Sequence, residues 1–238
     1  MNIAVIFAGG TGSRMKTKTT PKQFLELNGK AILIHTLEHF ENHPEIDGIV
    51  VVCIKDWIDH CWNLIRKNNL TKVKFVVEGG ETGQLSIYNG VKKAYEEFPA
   101  ESIVLVHDGV RPLINEQVIS DNIALVKSHG CAITVVPVVE TVVLSEESEI
   151  NDVLERKFCH LARAPQSFFL GELYDVHQKA IASGMINSID SATLMKAFGK
   201  RLFTVDGPME NIKITTPIDF YIFRAIYEAR ENSQIFGI

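Results

Sequence analysis

The chain has 238 residues, of which 46% are hydrophobic and 22% are charged, and its formal net charge is −5 at pH 7. This composition can supply a full hydrophobic core, and the acidic balance provides no basic field of the kind that binds nucleic acid. No apolar run approaches the roughly 20 residues that a membrane helix needs, and no secretory signal pattern is visible, so we expect a cytoplasmic protein that contacts neither nucleic acid nor membrane.

The first predicted element is a strand that ends in a glycine-rich turn. Residues Ile3–Phe7 form a short apolar run typical of a buried strand, and Ala8-Gly9-Gly10-Thr11-Gly12-Ser13-Arg14-Met15 follows directly. Such a turn exposes backbone N–H groups and can hold a phosphate chain, and Arg14 and Lys22 add positive charge beside it. A tight turn without a ligand would also need glycines, for positive φ, but three glycines and two cations together favour phosphate binding.

Two common phosphate-binding patterns do not fit this turn. The dinucleotide fingerprint G-x-G-x-x-G would need a glycine at Met15, and a Walker A loop would end in Gly-Lys-Ser or Gly-Lys-Thr. A nicotinamide dehydrogenase is therefore a poor alternative.

Strand-like runs then alternate with helical segments along the rest of the chain. The predicted helices are Ala31–Phe40, Ile58–Lys67, Leu85–Phe98, Asn115–His129 and Pro217–Glu231. The further predicted strands are Gly48–Ile54, Val73–Val77, Ile103–Val106, Ala132–Val136 and Phe203–Val205. The alternation predicts βαβ units, and hence one doubly wound α/β domain over residues 1–238 with a mainly parallel sheet.

One segment, Glu140–Ile150 with its flanks, breaks the alternation. It is strand-like but acidic, and Ser145-Glu146-Glu147-Ser148 is the predicted tip of a hairpin. The residues alone favour a solvated surface hairpin.

Two further groups of residues are candidates for ligand binding. Gly79, Gly80 and Ser86 either form a loop that caps the next helix, with Thr82 as its N-cap, or line a pyrimidine pocket in which the Ser86 hydroxyl reads the base edge. His107-Asp108-Gly109-Val110-Arg111-Pro112 directly follows a strand, where open α/β sheets bind ligands. An Asp–Arg structural ion pair and a packed core histidine remain alternatives for that group.

These blocks resemble the cytidylyltransferases of methylerythritol phosphate and ribitol phosphate, within the sugar-nucleotide pyrophosphorylase superfamily. The glycine turn with Pro21-Lys22-Gln23 resembles the family signature, and Val106–Pro112 resembles its HD-x-x-RP block. Ala164-Pro165-Gln166-Ser167-Phe168 resembles the TPQ-x-F block with one change, and Glu210–Asp219 resembles the C-terminal block. In the family pattern GG-x-x-R-x-x-S, the arginine position is Gly83 here, so no role is transferred to it.

The resemblance implies roles for particular residues and a nucleotide-diphospho-sugar transferase-like fold with a protruding β-arm. The implied nucleotide-binding residues are Ala8, Gly9, Gly10, Gly12, Arg14, Lys22, Gly79, Gly80 and Ser86. The implied catalytic cations are Arg14, Lys22, Arg156 and Lys213. The implied acceptor-binding residues are Asp108, Arg111, Arg156, Asp190 and Lys213, with Asp108 also a possible Mg²⁺ ligand. Residues about 138–160 would be an arm that embraces a second subunit and brings Arg156 to the partner's acceptor phosphate, in a homodimer with a shared site.

The implied reaction is attack by an alditol-phosphate oxygen on the α-phosphate of CTP, giving a CDP-alditol and pyrophosphate with Mg²⁺ on the triphosphate. Ala164 stands where the family carries the threonine of its TPQ block, and Ile189 where methylerythritol-specific members tend to carry a threonine. Because both changes remove a hydroxyl near the acceptor, D-ribitol 5-phosphate is the first expected acceptor and 2-C-methyl-D-erythritol 4-phosphate the second. Two stretches, 31–36 and 56–60, also resemble ribitol-phosphate members. Other alditol phosphates stay open, and a catalytically inactive nucleotide-binding scaffold is the alternative of another class.

Overall fold

The computed structural model describes residues 1–10 and 20–236, without the side chains of residues 233–236, and eleven strands are present in that part of the chain. In chain order they are β1 (Asn2–Ala8), β2 (Glu26–Leu27), β3 (Lys30–Ala31), β4 (Gly48–Cys53), β5 (Val73–Glu78), β6 (Ile103–Asp108), β7 (Cys131–Pro137), β8 (Val142–Glu146), β9 (Glu149–Leu154), β10 (His160–Phe169) and β11 (Thr204–Asp206). Seven of them form one sheet in the order β11-β7-β10-β6-β1-β4-β5. β10 is antiparallel to β6 and β7, and the other neighbours are parallel, so the predicted mainly parallel sheet is confirmed.

Helices cover both faces of this sheet. They are α1 (Ile32–Asn42), α2 (Ile58–Lys67), α3 (Gly83–Glu97), α4 (Glu116–His129), α5 (Leu170–Ala182), α6 (Ser191–Ala197) and α7 (Pro217–Phe236). Alternate residues of β1 point to opposite faces, because side chains in a strand have a period of two. Ala4 and Ile6 pack with α1, α2 and α4, whereas Ile3 and Val5 pack with α3, α5 and α6. The doubly wound arrangement predicted from the alternation is therefore confirmed.

The predicted elements agree closely with these bounds. α2 has the predicted limits, α3 and α4 begin within two residues of them, and Thr82 caps α3 by accepting a hydrogen bond from the Leu85 N–H at 3.1 Å. β11 is displaced by one residue from the predicted Phe203–Val205. α7 runs five residues beyond the predicted end, to Phe236.

Sequence reasoning missed β10, α5 and α6. β10 is interrupted by Pro165 and by a bulge between Ala162 and Gln166, so it lacks a continuous strand pattern. Residues 211–215, in which Ile212 and Ile214 alternate with Lys213, form a loop without strand pairing among the described strands. Ile214 is buried in a separate small core with Phe223, which explains the apolar residue without a strand.

The predicted acidic hairpin is present as β8 and β9. Its turn consists of Glu147 and Ser148, which both have positive φ, 49° and 71°. Two positive φ values match a two-residue turn whose twist suits antiparallel strands. The exposed large apolar residues of the hairpin are Val143, Leu144, Ile150 and Val153. A solvated hairpin with four exposed apolar side chains has surface suited to contact with another protein.

Within residues 1–10 and 20–236, none of the helices combines the length and apolarity that a bilayer crossing requires.

Candidate active site

A cavity of about 240 Å³ lies beside the C-terminal end of β6. This is the position at which open α/β sheets bind ligands. Its described lining comes from β1, α3, β6, β10, the start of α6 and the loop before α7. The lining residues are Phe7, Gly83, Ile87, Val106, His107, Asp108, Arg111, Ala162, Arg163, Ala164, Gln166, Ile189, Asp190, Ser191 and Lys213.

Asp108 forms the charged centre of this cavity. One carboxylate oxygen, Oδ2, accepts from Arg111 Nε at 2.8 Å, and the other, Oδ1, accepts from Lys213 Nζ at 2.7 Å. Burial by itself would raise the pKa of Asp108, but Lys213 and Arg111 outweigh burial and hold that pKa well below its ordinary value. Asp108 is therefore a carboxylate at neutral pH, and the structure brings together three residues predicted for the acceptor site.

His107, the neighbour of Asp108, is a packed core residue. It is buried against the ring of Phe40, and its Nε2 lies 3.3 Å from the carbonyl oxygen of Arg111. Burial lowers the pKa of His107 to about 3. The imidazole is thus neutral at physiological pH, which confirms the structural alternative for this residue.

The loop that carries Lys213 is held by side chains from two strands and their loops. Arg111 Nη1 and Arg163 Nη1 both donate to the Asn211 carbonyl oxygen, at 2.9 and 2.6 Å. Asn211 Nδ2 in turn donates to the Ala164 carbonyl oxygen at 2.7 Å. The position of Lys213 is therefore set by these contacts and by its ion pair with Asp108.

Lys22 reaches the same loop from the other side. Its Nζ is buried and donates to the Ile214 carbonyl oxygen at 2.9 Å, next to Lys213. The neighbouring Gln23 donates from Nε2 to the Ala8 carbonyl oxygen at 2.6 Å, which ties this segment to the end of β1. The structure thus places Lys22 between the start of the glycine turn and the Lys213 loop. Gly12 and Arg14 lie outside the described residues.

The two predicted glycine loops meet at the ends of β1 and β5. A Cβ atom added to Gly9 would lie 3.6 Å from Ser86 Oγ, and one added to Gly80 would lie only 2.6 Å from Leu85 Cβ. Ser86 Oγ accepts from the Gly80 N–H at 2.9 Å and donates to the Thr82 carbonyl at 2.8 Å. The buried Ser86 hydroxyl is thus hydrogen-bonded to backbone groups of Gly80 and Thr82, and reading of a base edge by this residue stays a prediction. Close backbone approach explains the glycine at position 80.

Asp190 and Ile189 lie where α6 begins. Asp190 caps the helix by accepting from the Thr193 N–H at 2.7 Å, and its other oxygen accepts from Gln166 Nε2 at 2.8 Å. Ile189 is 91% exposed, while Ala164 is buried, yet both line the cavity. Ala164 and Ile189, the two positions at which this sequence lacks an expected hydroxyl, therefore line the same cavity.

Of the five predicted acceptor-binding residues, Arg156 is the one that does not line this cavity. It lies in a short turn after β9, and its Nη1 donates to the Val139 carbonyl oxygen at 2.9 Å. It lines a different depression at the base of the hairpin, together with Pro137 and His160.

Sequence reasoning missed Arg163 and Gln166 as cavity residues. Gln166 lies inside the Ala164–Phe168 block, and Arg163 lies directly before that block. The Ala164–Phe168 block could have indicated both residues, because residues within or next to a ligand-binding segment of a strand line the same cavity.

Comparison with known proteins gives concordant results. Residues 2–229 match the family model described as IspD: 2-C-methyl-D-erythritol 4-phosphate cytidylyltransferase. A ribitol-5-phosphate cytidylyltransferase of Streptococcus agalactiae serotype III is 54% identical over the full length of both chains. A 2-C-methyl-D-erythritol 4-phosphate cytidylyltransferase of Clostridium novyi is 36% identical over 95% of this chain and 96% of its own. The crystal structure of 4-diphosphocytidyl-2C-methyl-D-erythritol synthase from Anaerococcus prevotii aligns with a TM-score of 0.81 and 28% identity, over 95% of this chain and 96% of that one.

Proposed function

This chain belongs to the 2-C-methyl-D-erythritol 4-phosphate cytidylyltransferase (IspD) family and is a CTP-dependent cytidylyltransferase, and from this premise we propose that it makes CDP-ribitol. Its substrates are CTP and D-ribitol 5-phosphate, and its second product is pyrophosphate. The observation that carries this choice is the 54% identity, over the whole of both chains, to a ribitol-5-phosphate cytidylyltransferase. The relative named for methylerythritol phosphate is 36% identical. The meeting of Ala164 and Ile189 in the cavity supports the same choice.

The reaction is a nucleotidyl transfer between two phosphate groups. An oxygen of the acceptor phosphate forms a bond to the α-phosphorus of CTP, and the bond from that phosphorus to the bridging oxygen of the β-phosphate breaks. Pyrophosphate leaves with the electron pair. Such transfers need positioning and stabilisation of charge more than covalent chemistry from the protein. We propose that Arg14, Lys22 and Lys213 stabilise the negative charge that develops on the phosphate groups. We propose that Asp108 and Arg111 bind the acceptor.

We propose Mg²⁺ as the cofactor. Among residues 1–10 and 20–236, no group of three His, Cys, Asp or Glu side chains is placed to hold a metal by itself. Mg²⁺ in nucleotide enzymes commonly takes one or two carboxylates and several substrate phosphate oxygens, and Asp108 is a carboxylate of the required kind at the cavity. When bound, the ion neutralises charge on the triphosphate.

We propose that residues about 138–160 act as the dimerisation arm of a single catalytic domain. The exposed apolar side chains of β8 and β9 support this, as does Phe158, which is 74% exposed. Arg156 lies at the base of the arm and outside the Asp108 cavity of its own subunit. Its guanidinium would bind the acceptor phosphate in the partner, where a planar fork suits phosphate oxygens.

The test is pyrophosphate release with each nucleoside triphosphate against a panel of alditol phosphates. We expect release with CTP and D-ribitol 5-phosphate, at a kcat/KM well above that with 2-C-methyl-D-erythritol 4-phosphate. More efficient turnover of the methylerythritol substrate would overturn the choice of ribitol phosphate and establish methylerythritol phosphate as the acceptor. Release with UTP at equal efficiency would contradict the CTP assignment.

A further inference from the structure

We propose that Arg163 binds the phosphate group of the acceptor, within the subunit that also carries Asp108. The inference rests on the proposed function only in that the acceptor must be a phosphate monoester. Arg163 is distinct from the cations predicted from the sequence, and it would act in addition to Arg156 of the arm.

The place of Arg163 in the sheet puts it against any acceptor in the cavity. It lies in β10, the strand that pairs with β6, and it directly precedes Ala164. Arg163, Asp108 and Lys213 line the same cavity. An acceptor that contacts the Asp108 carboxylate therefore lies within the space that Arg163 borders.

Arg163 has hydrogen-bond donors for which the described part of the chain offers no acceptor. Its Nη1 donates to the carbonyl oxygens of Asn211 and Met209, at 2.6 and 3.2 Å. Within residues 1–10 and 20–236, its Nε and Nη2 make no hydrogen bond, and no carboxylate lies at ion-pair distance. A guanidinium presents its N–H groups in a planar fork that matches two phosphate oxygens. The unused part of Arg163 is thus suited to a phosphate.

The charge around Arg163 also favours an anion. Arg111 Nη1 bonds the same Asn211 carbonyl oxygen, at 2.9 Å, so the two guanidinium groups are immediate neighbours. The carboxylate at this end of the cavity, Asp108, is already shared between Arg111 and Lys213. Burial and the charge of Arg111 lower the pKa of Arg163. Three cations beside one carboxylate leave positive charge that a phosphate dianion would compensate.

A purely structural role of Arg163 predicts a different effect of its substitution on the kinetics. Arg163 could serve only to hold the loop before α7 through the carbonyl oxygens of Met209 and Asn211. Its loss would then displace Lys213 and Asn211 together, and would affect turnover and both substrates. A phosphate-binding role predicts a selective effect on the acceptor, because CTP would not contact Arg163.

The experiment compares Arg163→Gln and Arg163→Lys with the wild-type protein by steady-state pyrophosphate release. Gln keeps N–H donors for the loop carbonyls but removes the charge, and Lys keeps the charge but removes the fork. Since a hydrogen bond to a charged group corresponds to roughly a 10- to 100-fold change in binding, we expect the acceptor KM to rise by about that factor in Arg163→Gln. We expect the CTP KM to stay within about threefold, and Arg163→Lys to be intermediate.

Arg66→Gln on α2 is the matched control, since Arg66 lies near Trp62 and away from the cavity. Thermal unfolding shows whether each variant is folded. An acceptor KM that stays near wild type, or equal losses for acceptor and CTP, would overturn the proposal. The assay uses whichever acceptor the wild-type protein turns over best, so a wrong choice of ribitol phosphate and a wrong role for Arg163 give separate results.

Discussion

Asp108 shows how one carboxylate can orient two cations in the cavity before any substrate arrives. Its two oxygens hold Arg111 and Lys213 in fixed directions, at 2.8 and 2.7 Å. Groups that are oriented in advance need no reorganisation when charge develops in the transition state. The ion pairs also offset the repulsion that two neighbouring cations would otherwise experience.

Lys22 gives a test at the same scale. We expect Lys22→Met to lower kcat by roughly 10²- to 10³-fold with only a few-fold change in the CTP KM, because its charge matters most as the transition state forms. Met keeps the apolar stem in its buried position. Steady-state pyrophosphate release measures both constants, with the exposed Lys127→Met as the control. A kcat near wild type would refute a catalytic role for Lys22.

The two hydroxyl-free positions allow a change of acceptor preference. We expect the double variant Ala164→Thr, Ile189→Thr to shift the ratio of kcat/KM values toward 2-C-methyl-D-erythritol 4-phosphate by about ten- to a hundredfold. Each added hydroxyl offers a hydrogen bond worth roughly 0.5–1.5 kcal/mol to an acceptor hydroxyl, so the two together contribute about 1–3 kcal/mol. Competition between the two acceptors in one reaction measures the ratio. An unchanged ratio in a folded variant would show that these side chains do not select the acceptor.

At the scale of elements, the proposed arm consists of β8, β9 and the turn after them, and its role in the partner subunit can be tested directly. Its exposed apolar residues and its basic end lie on one projecting segment. If Arg156 acts in the partner subunit, two defective proteins can restore each other.

We expect a mixture of Arg156→Gln and Lys22→Met proteins, exchanged into heterodimers, to regain activity. In a heterodimer, the site with an intact Lys22 receives an intact Arg156 from its partner, so random pairing restores about a quarter of wild-type activity. Pyrophosphate release before and after subunit exchange measures this, and sedimentation verifies the dimers. Heterodimers without activity would show that Arg156 serves its own subunit or none.

The elements also show how far sequence reasoning can go. Apolar periodicity located β1, β4 to β7 and most helices, because buried parallel strands and amphipathic helices have strong local patterns. The parts that it did not predict include β10, α6 and the orientation of Lys213, and distant contacts shape all three. β10 carries Pro165 and polar Arg163, α6 begins at a cap that Gln166 anchors, and Lys213 is oriented by Asp108 across 105 positions of sequence. No local pattern records such contacts.

At the scale of the whole molecule, stability should depend on pH through buried histidines. His177 in α5 is buried, and its two ring nitrogens have no hydrogen-bond partner among the described residues. Burial lowers the pKa of His177 to about 4 in the folded protein. Below pH 6.5, His177 binds a proton in the unfolded chain, whereas in the folded protein it binds one only below about pH 4. The free energy of unfolding that His177 contributes is therefore fully present above pH 6.5 and is lost as pH falls toward 4.

We therefore expect His177→Leu to lose less stability than the wild-type protein between pH 7 and pH 5, by about 2 kcal/mol. Urea unfolding at the two pH values measures the difference. The exposed His60→Gln is the control and should keep the wild-type dependence. Equal pH dependence in His177→Leu and wild type would contradict the assignment.

The position of β10 has a consequence for the order in which the protein folds. β7 pairs only with β10 and β11 within the described sheet, and both follow it in the chain. During synthesis, β1, β4, β5 and β6 can pair with one another as soon as they have left the ribosome. β7 has no strand to pair with until residues 160–169 have been synthesised. Contacts between residues far apart in the sequence form late, because bringing the two residues together reduces the conformational entropy of the chain between them. We therefore expect the half of the sheet formed by β1, β4, β5 and β6 to assemble first during synthesis, and the half that contains β7 and β10 to be completed last.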